Sequence, residues 1–526
     1  MTVFTTRGTR DYDLIILGGG SAGIVSGVMA GALGLRVLLI EKERMGGECL
    51  NTGCVPSKAL IQAARVAHTL RTEASSVGLP TRDITREEAR ATLDWVRKTI
   101  GTVRDADATE KLLTDNGVTI RHGDARFVDA HTLRLDSGEE NISTVTSDNF
   151  LIATGSRPAI PEGIPGLADT PYRTNQTIFD LTEIPRRLLV VGGGPNGVEM
   201  AQAFGRLGSE VTLLQKGERL LPRDDAELVE RLTALLRDEN IDIRLSAALK
   251  RIENGSQATV SDADGNETTL PFDCLLLAVG RTPNTEDLDL AAAGVKTARD
   301  GIIVSDHLQT SAPNIYACGD VIADGYRFSH LAEYQAKIAV RNLAFPGESK
   351  TRYQAAPWAT FTEPELAHVG LTEEEAQHLH IPVEVYRQPF AQNDRALTDG
   401  GSSDPARTGL VKVLVEPGIR GKILGAQILG PRAGELLQEW VSAMEQGQSI
   451  RAIADSVHVY PTLTLASQHA AQRWYERQSQ NPLVQGALST YVQNVRPREK
   501  ALAVGALGAA GLLLGLLARR RRSQKS

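Results

Sequence analysis

Cysteine is scarce in this chain: four occur among 526 residues, which leaves no disulfide framework to hold the fold and makes each thiol a candidate for chemistry. Positive charge is not in excess either. The formal net charge of −7 gives no basic footprint for nucleic acid. No secretory signal opens the chain, because the apolar run Leu14–Leu17 is followed by a glycine turn instead of a cleavage site. A cytosolic body is expected. There is no N-terminal module with its own C-x-x-C and no cysteine after Cys318, so a second thiol pair for capturing a soft metal ion is missing, and no residue set is assigned to a metal. Short repeats and low-complexity segments are also lacking.

What is present starts with Gly46 to Lys58, GGECLNTGCVPSK, where four residues separate Cys49 from Cys54. That spacing lets one helical turn close a small, strained disulfide ring, and a catalytic redox pair is the natural reading. The plain alternative is two reduced cysteines in a cytosolic core. Cys274, in the apolar stretch FDCLLLAVG, and Cys318, beside Gly319, read as packing residues.

Two dinucleotide fingerprints flank the pair. In DYDLIILGGGSAG, a buried strand over Leu14–Leu17 leads into Gly18, Gly20 and Gly23, the G-x-G-x-x-G that turns tightly, brings backbone N–H groups to a pyrophosphate and lets the next helix pack close. A second apolar run, Leu35–Ile40, ends in Glu41, about twenty residues on, where a carboxylate can bond ribose hydroxyls. The copy RLLVVGGGPNGVEMA places Gly192, Gly194 and Gly197 after the strand Leu188–Val191. Its next strand, Glu210–Leu214, ends in Gln215 and Lys216 with Arg219 close by, a pattern that leans toward the 2′-phosphate of NADPH over NADH. Solvated surface charges are the alternative for those two bases.

With these motifs in this order, the chain resembles the class I flavoprotein disulfide reductases, which include dihydrolipoamide dehydrogenase, glutathione reductase and mercuric reductase. The resemblance runs from about Asp11 to Gln480 and includes ATGSRP (Ala153–Pro158), AVGRTPN (Ala278–Asn284), YACGD (Tyr316–Asp320) and WATFTEPELAHVG (Trp358–Gly370), the last most similar to mercuric reductase-like members. It implies FAD and NADP or NAD as cofactors, with Thr154, Gly155 and Gly280 as further contacts and Asp320 on the flavin ribityl chain. It implies electron flow from nicotinamide through flavin to sulfur, with Cys54 on the flavin side and Cys49 as the interchange thiol. Lys58 and Glu199 stand where the family pairs a lysine and a glutamate beside the flavin, a pair able to stabilise developing negative charge. Their alternative is surface charges on helix starts.

The expected fold class is α/β: two doubly wound Rossmann-type domains, an α+β dimerisation domain and an apolar C-terminal helix. The expected parts are an FAD-binding domain over 1–158 and 285–350, an inserted NAD(P)-binding domain over 159–284, a dimerisation domain over 351–480 that makes a homodimer, and an extension over 481–526. Asp83–Asn116 reads as a charge-rich amphipathic arm, and Ala433–Met444 as helical.

Two features depart from the resemblance. The family's H-P-T-x-x-E reads Tyr460, Pro461, Thr462, Leu463, Thr464, Leu465, so a tyrosine, a poor base at neutral pH, replaces the catalytic histidine and a leucine the glutamate that orients it. His458 is a substitute if the backbone redirects it, and otherwise a stray loop histidine. Mercuric reductases also use tyrosine here, which keeps mercury(II) reduction as an alternative to a disulfide or other small-molecule electron acceptor. The second feature is Ala501–Ala518, an unbroken apolar run of eighteen residues followed by Arg519–Arg522. As a helix it would span about 27 Å, enough to associate with a membrane; a buried Gly/Ala-rich tail is the alternative. A membrane-tethered flavoprotein with a non-catalytic or quinone-linked role is therefore the other function class.

Overall fold

The computed structural model describes residues 9–486, apart from 107, 139–141, 405–407 and 483. The run Ala501–Ala518 lies outside the described residues. Among those described, no helix is long and apolar enough to cross a membrane.

Strands Tyr12–Leu17 and Val37–Glu41 bury nearly every residue, as the interior of a parallel sheet demands. They pair parallel, Leu14 with Val37 through Leu17 with Ile40, and Val118–His122 extends the sheet on one side. On the other side lies Ile142–Ile152, whose last residues run parallel to Ile15–Leu17 and to Ile315–Ala317. The start of that long strand is antiparallel to Thr132–Asp136, which continues to Asp124–Asp129. The sheet is thus closed only when the chain returns at Ile315.

Between Ile152 and Ile315 a second sheet is inserted. Its five parallel strands follow the order Asp242–Arg244, Glu210–Leu214, Arg187–Val191, Cys274–Leu277 and Tyr172–Arg173. The chain enters and leaves through Ser156–Pro158 and Arg281–Pro283, which pair antiparallel.

The third unit is a five-stranded antiparallel sheet, in order Pro357–Thr360, Glu365–Gly370, Ile423–Gly430, Leu410–Val415 and Glu384–Pro389. Helices Ala433–Leu436, Gln438–Glu445 and Leu465–Ser479 cover it, with Trp440 buried at the centre. The helical stretch expected over Ala433–Met444 is therefore two helices meeting at Leu437. Likewise Asp83–Asn116 divides into Arg86–Ala106 and Thr109–Asp115. Buried Lys412 on the third sheet lies 2.8 Å from Asp225 Oδ2, 3.1 Å from Glu227 Oε2 and 2.8 Å from Glu373 Oε2, so its charge is paired and the first two contacts tie this sheet to the inserted unit.

Candidate active site

A single cavity of about 2440 Å³ runs past both glycine turns and both candidate cysteines. At its first end, Gly18 has φ +104°, and a Cβ there would sit 2.4 Å from Ala153 O; a Cβ on Gly23 would lie 1.8 Å from Gly18 O. These two glycines let strand and helix touch. Gly20 differs, since its Cβ would meet nothing nearer than 3.9 Å. The open ground before it faces the N-terminus of helix Ser21–Ala32, which has no side-chain cap. Free N–H groups on an open surface fit a pyrophosphate. Glu41 accepts hydrogen bonds from Gly19 N at 2.6 Å and Glu43 N at 2.7 Å, and its oxygens keep lone pairs for ribose hydroxyls. The residues present thus fit FAD.

The second turn repeats the pattern. Gly192 has φ +118° with Ala278 O at 2.2 Å from a Cβ, Gly197 would collide with Gly192 O at 1.8 Å, and Gly194 faces open space before helix Pro195–Arg206, again with no side-chain cap. Gln215 Oε1 accepts from Gly193 N at 3.1 Å, the counterpart of the Glu41 contact without its charge. Exposed Lys216 does not line the cavity. Arg219 is drawn aside, with Nη1 2.6 Å from Glu374 Oε2 and Nη2 donating to Pro222 O at 2.9 Å. Thr154, Gly155, Gly280 and Asp320 all line the cavity.

Cys49 belongs to helix Gly47–Asn51, whereas Cys54 opens the separate helix Cys54–Arg71. The single helical turn expected for the pair is broken at Thr52 and Gly53. A Cβ on Gly53 would press 3.0 Å from Glu48 O and 3.3 Å from Cys49 Cα, so the break needs glycine to fold the two helices onto each other. The neighbouring Cys54 thiol lowers Cys49 to about 6, helped by Ser329 and the charge of Lys58. Cys49, together with burial, raises Cys54. The two sulfurs therefore titrate as a pair. Cys274 and Cys318 are buried, and burial raises their thiols to about 11 and about 12.

One turn beyond Cys54, Lys58 Nζ lies 2.9 Å from Glu199 Oε2 and 4.2 Å from the centre of the Phe361 ring. Glu199 Oε1 accepts from Phe361 N at 2.9 Å. The surface-charge alternative fails for Glu199, whose side chain is 3 % exposed. Next to Cys49, Glu48 receives both guanidinium arms of Arg281, whose Nε lies 3.3 Å from Asp320 Oδ2. Ser156 Oγ donates to the same Asp320 oxygen at 2.7 Å. Sequence motifs contain Arg281 and Glu48 but give no sign that they meet. Asp224, also on the cavity wall, accepts from Trp358 Nε1 at 2.9 Å, and burial raises its carboxyl to about 6.

The remaining two candidates stand apart from this cluster and do not line the cavity. Tyr460 is exposed, and its hydroxyl donates to Asp394 Oδ2 at 2.9 Å. His458 has Nε2 2.9 Å from Glu439 Oε1 and Nδ1 3.1 Å from Ser456 O, so both ring nitrogens face acceptors within its own unit. Among the described residues, no group of three or more His, Cys, Asp or Glu is placed to hold a metal ion.

Comparison with known proteins gives the site its context. Residues 12–336 match the family model described as pyridine nucleotide-disulphide oxidoreductase, and residues 356–471 match the dimerisation domain of that family. The chain is 33% identical to the mercuric reductase of Staphylococcus aureus over 86% of its own length and 80% of the relative's. It is 36% identical to the dihydrolipoyl dehydrogenase of Thermus scotoductus, covering 89% of this chain and 98% of that one. A solved structure of the HOCl-induced flavoprotein disulfide reductase RclA from Escherichia coli, in its Cu(II) complex, superposes with a TM-score of 0.76 at 28% identity, over 88% of this chain and 99% of that one. The chain therefore belongs to the pyridine nucleotide-disulphide oxidoreductase family, as an FAD-dependent enzyme that uses a nicotinamide coenzyme and forms a homodimer.

Proposed function

We propose that the chain passes two electrons from a nicotinamide coenzyme, NADPH in preference to NADH, to the Cys49/Cys54 pair and on to a small-molecule acceptor. FAD, bound at the first glycine turn, supplies the relay between nicotinamide and sulfur. The observation that carries this reading is the shared cavity, which brings both glycine turns, Lys58, Glu199 and the two thiols into one enclosure.

Each part has a task set by its chemistry. The backbone N–H groups after Gly20 and Gly194 bind the pyrophosphates, Glu41 holds ribose hydroxyls, and Asp320 orients the flavin side chain. Lys58, fixed by Glu199, holds positive charge where negative charge develops. Where the acceptor is a small disulfide, Cys49 attacks one of its sulfurs and expels the other as a thiolate, and Cys54 then displaces the remaining thiolate to restore the Cys49–Cys54 disulfide. Lys216, exposed next to Gln215, is the base available to a 2′-phosphate. In domain terms we assign FAD binding to 1–158 and 285–350, NAD(P) binding to 159–284 and dimerisation to 351–480.

A metal ion as acceptor is the second reading. Two adjacent thiols open to one cavity suit a soft ion, and relatives bear the name mercuric reductase. Against mercury stands the lack of any cysteine beyond Cys318. We further propose that the body is cytosolic and held at a membrane by Ala501–Ala518, which makes a quinone a third candidate. An anaerobic screen of small disulfides, Hg(II), Cu(II), a quinone and a dye, each with NADPH, tests the reading. Turnover that survives replacement of both Cys49 and Cys54 by serine with every acceptor would refute the dithiol route.

A further inference from the structure

We propose that Arg281 is a positioning residue of the redox pair: through its two-armed hold on Glu48 it keeps the short Cys49 helix in place against Cys54. The inference rests on the dithiol reading above and gives a task to two residues that no motif brings together.

Cys49 is carried by the short helix Gly47–Asn51, which the break at Thr52 and Gly53 separates from the long helix Cys54–Arg71. So short a helix is not stable on its own, and it keeps its place only where contacts from outside hold it. The hold is at Glu48, the residue before Cys49. Arg281 Nη1 donates to Glu48 Oε1 at 3.0 Å, Arg281 Nη2 donates to Glu48 Oε2, and Asn175 Nδ2 adds a further bond to Oε1. Both carboxylate oxygens are thus gripped by one planar fork, a pairing that fixes direction as well as distance. The two side chains are only 17 % and 25 % exposed, so this is not a solvated surface pair.

Arg281 is itself anchored. It opens the strand Arg281–Pro283, which pairs antiparallel with Ser156–Pro158. Its Nε donates to Ser156 Oγ at 2.7 Å, its Nη2 to Ser156 O at 2.9 Å, and its own carbonyl accepts from Arg327 Nη1 at 2.7 Å. Ser156 Oγ passes the chain of bonds on to Asp320 Oδ2 at 2.7 Å, and Arg281 Nε lies 3.3 Å from the same oxygen. One guanidinium therefore joins the residue beside Cys49 to the carboxylate that the reading above gives to the flavin side chain. Since a hold that keeps Cys49 toward Cys54 favours the closed pair over the open one, its loss should weaken the disulfide.

The test is equilibration of the FAD-loaded enzyme in glutathione buffers of graded redox poise, then acid quench, alkylation and mass spectrometry of Cys49 and Cys54. In this exchange the protein S–S bond breaks, one S–S bond forms between two glutathiones, and two electrons and two protons pass from the glutathione thiols to the cysteines. Arg281→Met should shift the equilibrium toward the dithiol about three- to tenfold, the coupling expected of one charged, hydrogen-bonded pair. Glu48→Ala should match it, and the double variant should go no further, because the two residues act as a unit. Arg281→Lys should not recover the parent value, since an ammonium cannot grip both oxygens as the fork does. An Arg281→Met equilibrium that superposes on the parent overturns the positioning role, as do additive effects of the single variants or full recovery in the Lys variant. Loss of FAD absorbance from Arg281→Met also overturns it, by making the residue a flavin contact. If Arg281→Met does not fold, Glu48→Gln decides: it keeps an acceptor for one arm, so a smaller shift supports the hold and no shift overturns it. Parent enzyme whose Cys49 and Cys54 are alkylated at every poise forms no disulfide, and the dithiol reading itself has then failed, with the positioning role.

Discussion

Lys58 Nζ and Glu199 Oε2 lie 2.9 Å apart although 141 residues separate them in the chain. One comes from the helix that begins with Cys54, the other from the helix that follows the second glycine turn. The pair therefore joins the sulfur side of the cavity to the nicotinamide side. Lys58→Met should slow reduction of bound FAD by NADPH at least tenfold, in line with the loss of one preorganised charge. It also leaves Glu199 buried with only the Phe361 N–H, at a stability cost of about 1–2 kcal/mol after allowance for the partial exposure of Lys58. Stopped-flow reduction and thermal unfolding read the two effects separately, and unchanged reduction would remove Lys58 from the machinery.

Coenzyme choice turns on Gln215. It makes the Gly193 contact of a ribose-binding acid without the acid's charge. Gln215→Glu should move the ratio of kcat/KM values toward NADH by about ten- to thirtyfold. Arg219→Ala should change that ratio little, because Glu374 and Pro222 O already occupy its guanidinium. A parent enzyme that prefers NADH would contradict the assignment.

Asp224 offers a pH signature. Burial raises its carboxyl to about 6, above an unfolded value of about 3.9. The folded state thus holds the proton more tightly, so the stability contribution is complete below about pH 4 and is lost as pH rises through about 6. Asp224→Asn keeps an acceptor for Trp358 Nε1 but cannot ionise. Its stability relative to the parent should rise between pH 4 and 7 by on the order of 2 kcal/mol. Denaturant unfolding of both proteins across that range checks this, and a flat difference would place the titration elsewhere.

The tail gives a fourth prediction, from sequence alone. Ending the chain after Arg498 should release the enzyme to the soluble fraction with FAD bound. Replacing Arg519–Arg522 should only weaken attachment, since even partial burial of the apolar run at ~25 cal/mol per Å² exceeds the pull of a few arginines on anionic lipid. Full-length protein that fractionates as soluble without detergent would dispose of the tether.

Much of this site was legible in the chain because its signals are local. Gly18 and Gly192 announce turns, Gly23 and Gly197 announce close packing, and the place of Asp320 after the second fingerprint announces the insertion. The Lys58–Glu199 pair was legible through resemblance alone, since no local pattern links residues so distant. Other parts depend on which surfaces meet in three dimensions. Glu374 takes Arg219 from another unit, Glu439 takes His458, Arg281 reaches Glu48, and Ser329 arrives at Cys54 from a helix with no motif of its own. The break at Gly53 was missed because a four-residue gap is compatible with one helical turn, and only the approach of Glu48 O and Cys49 Cα shows why the chain needs two.

The central claim is that Cys49 and Cys54 form the redox pair, with Cys54 on the flavin side and Cys49 facing the acceptor. Anaerobic titration of the FAD-loaded enzyme with NADPH, followed in the visible spectrum, tests it most directly. The account predicts a long-wavelength absorbance from a thiolate beside the flavin, retained in Cys49→Ser and abolished in Cys54→Ser. If both variants give the spectrum of the parent, the pair is not where the electrons go.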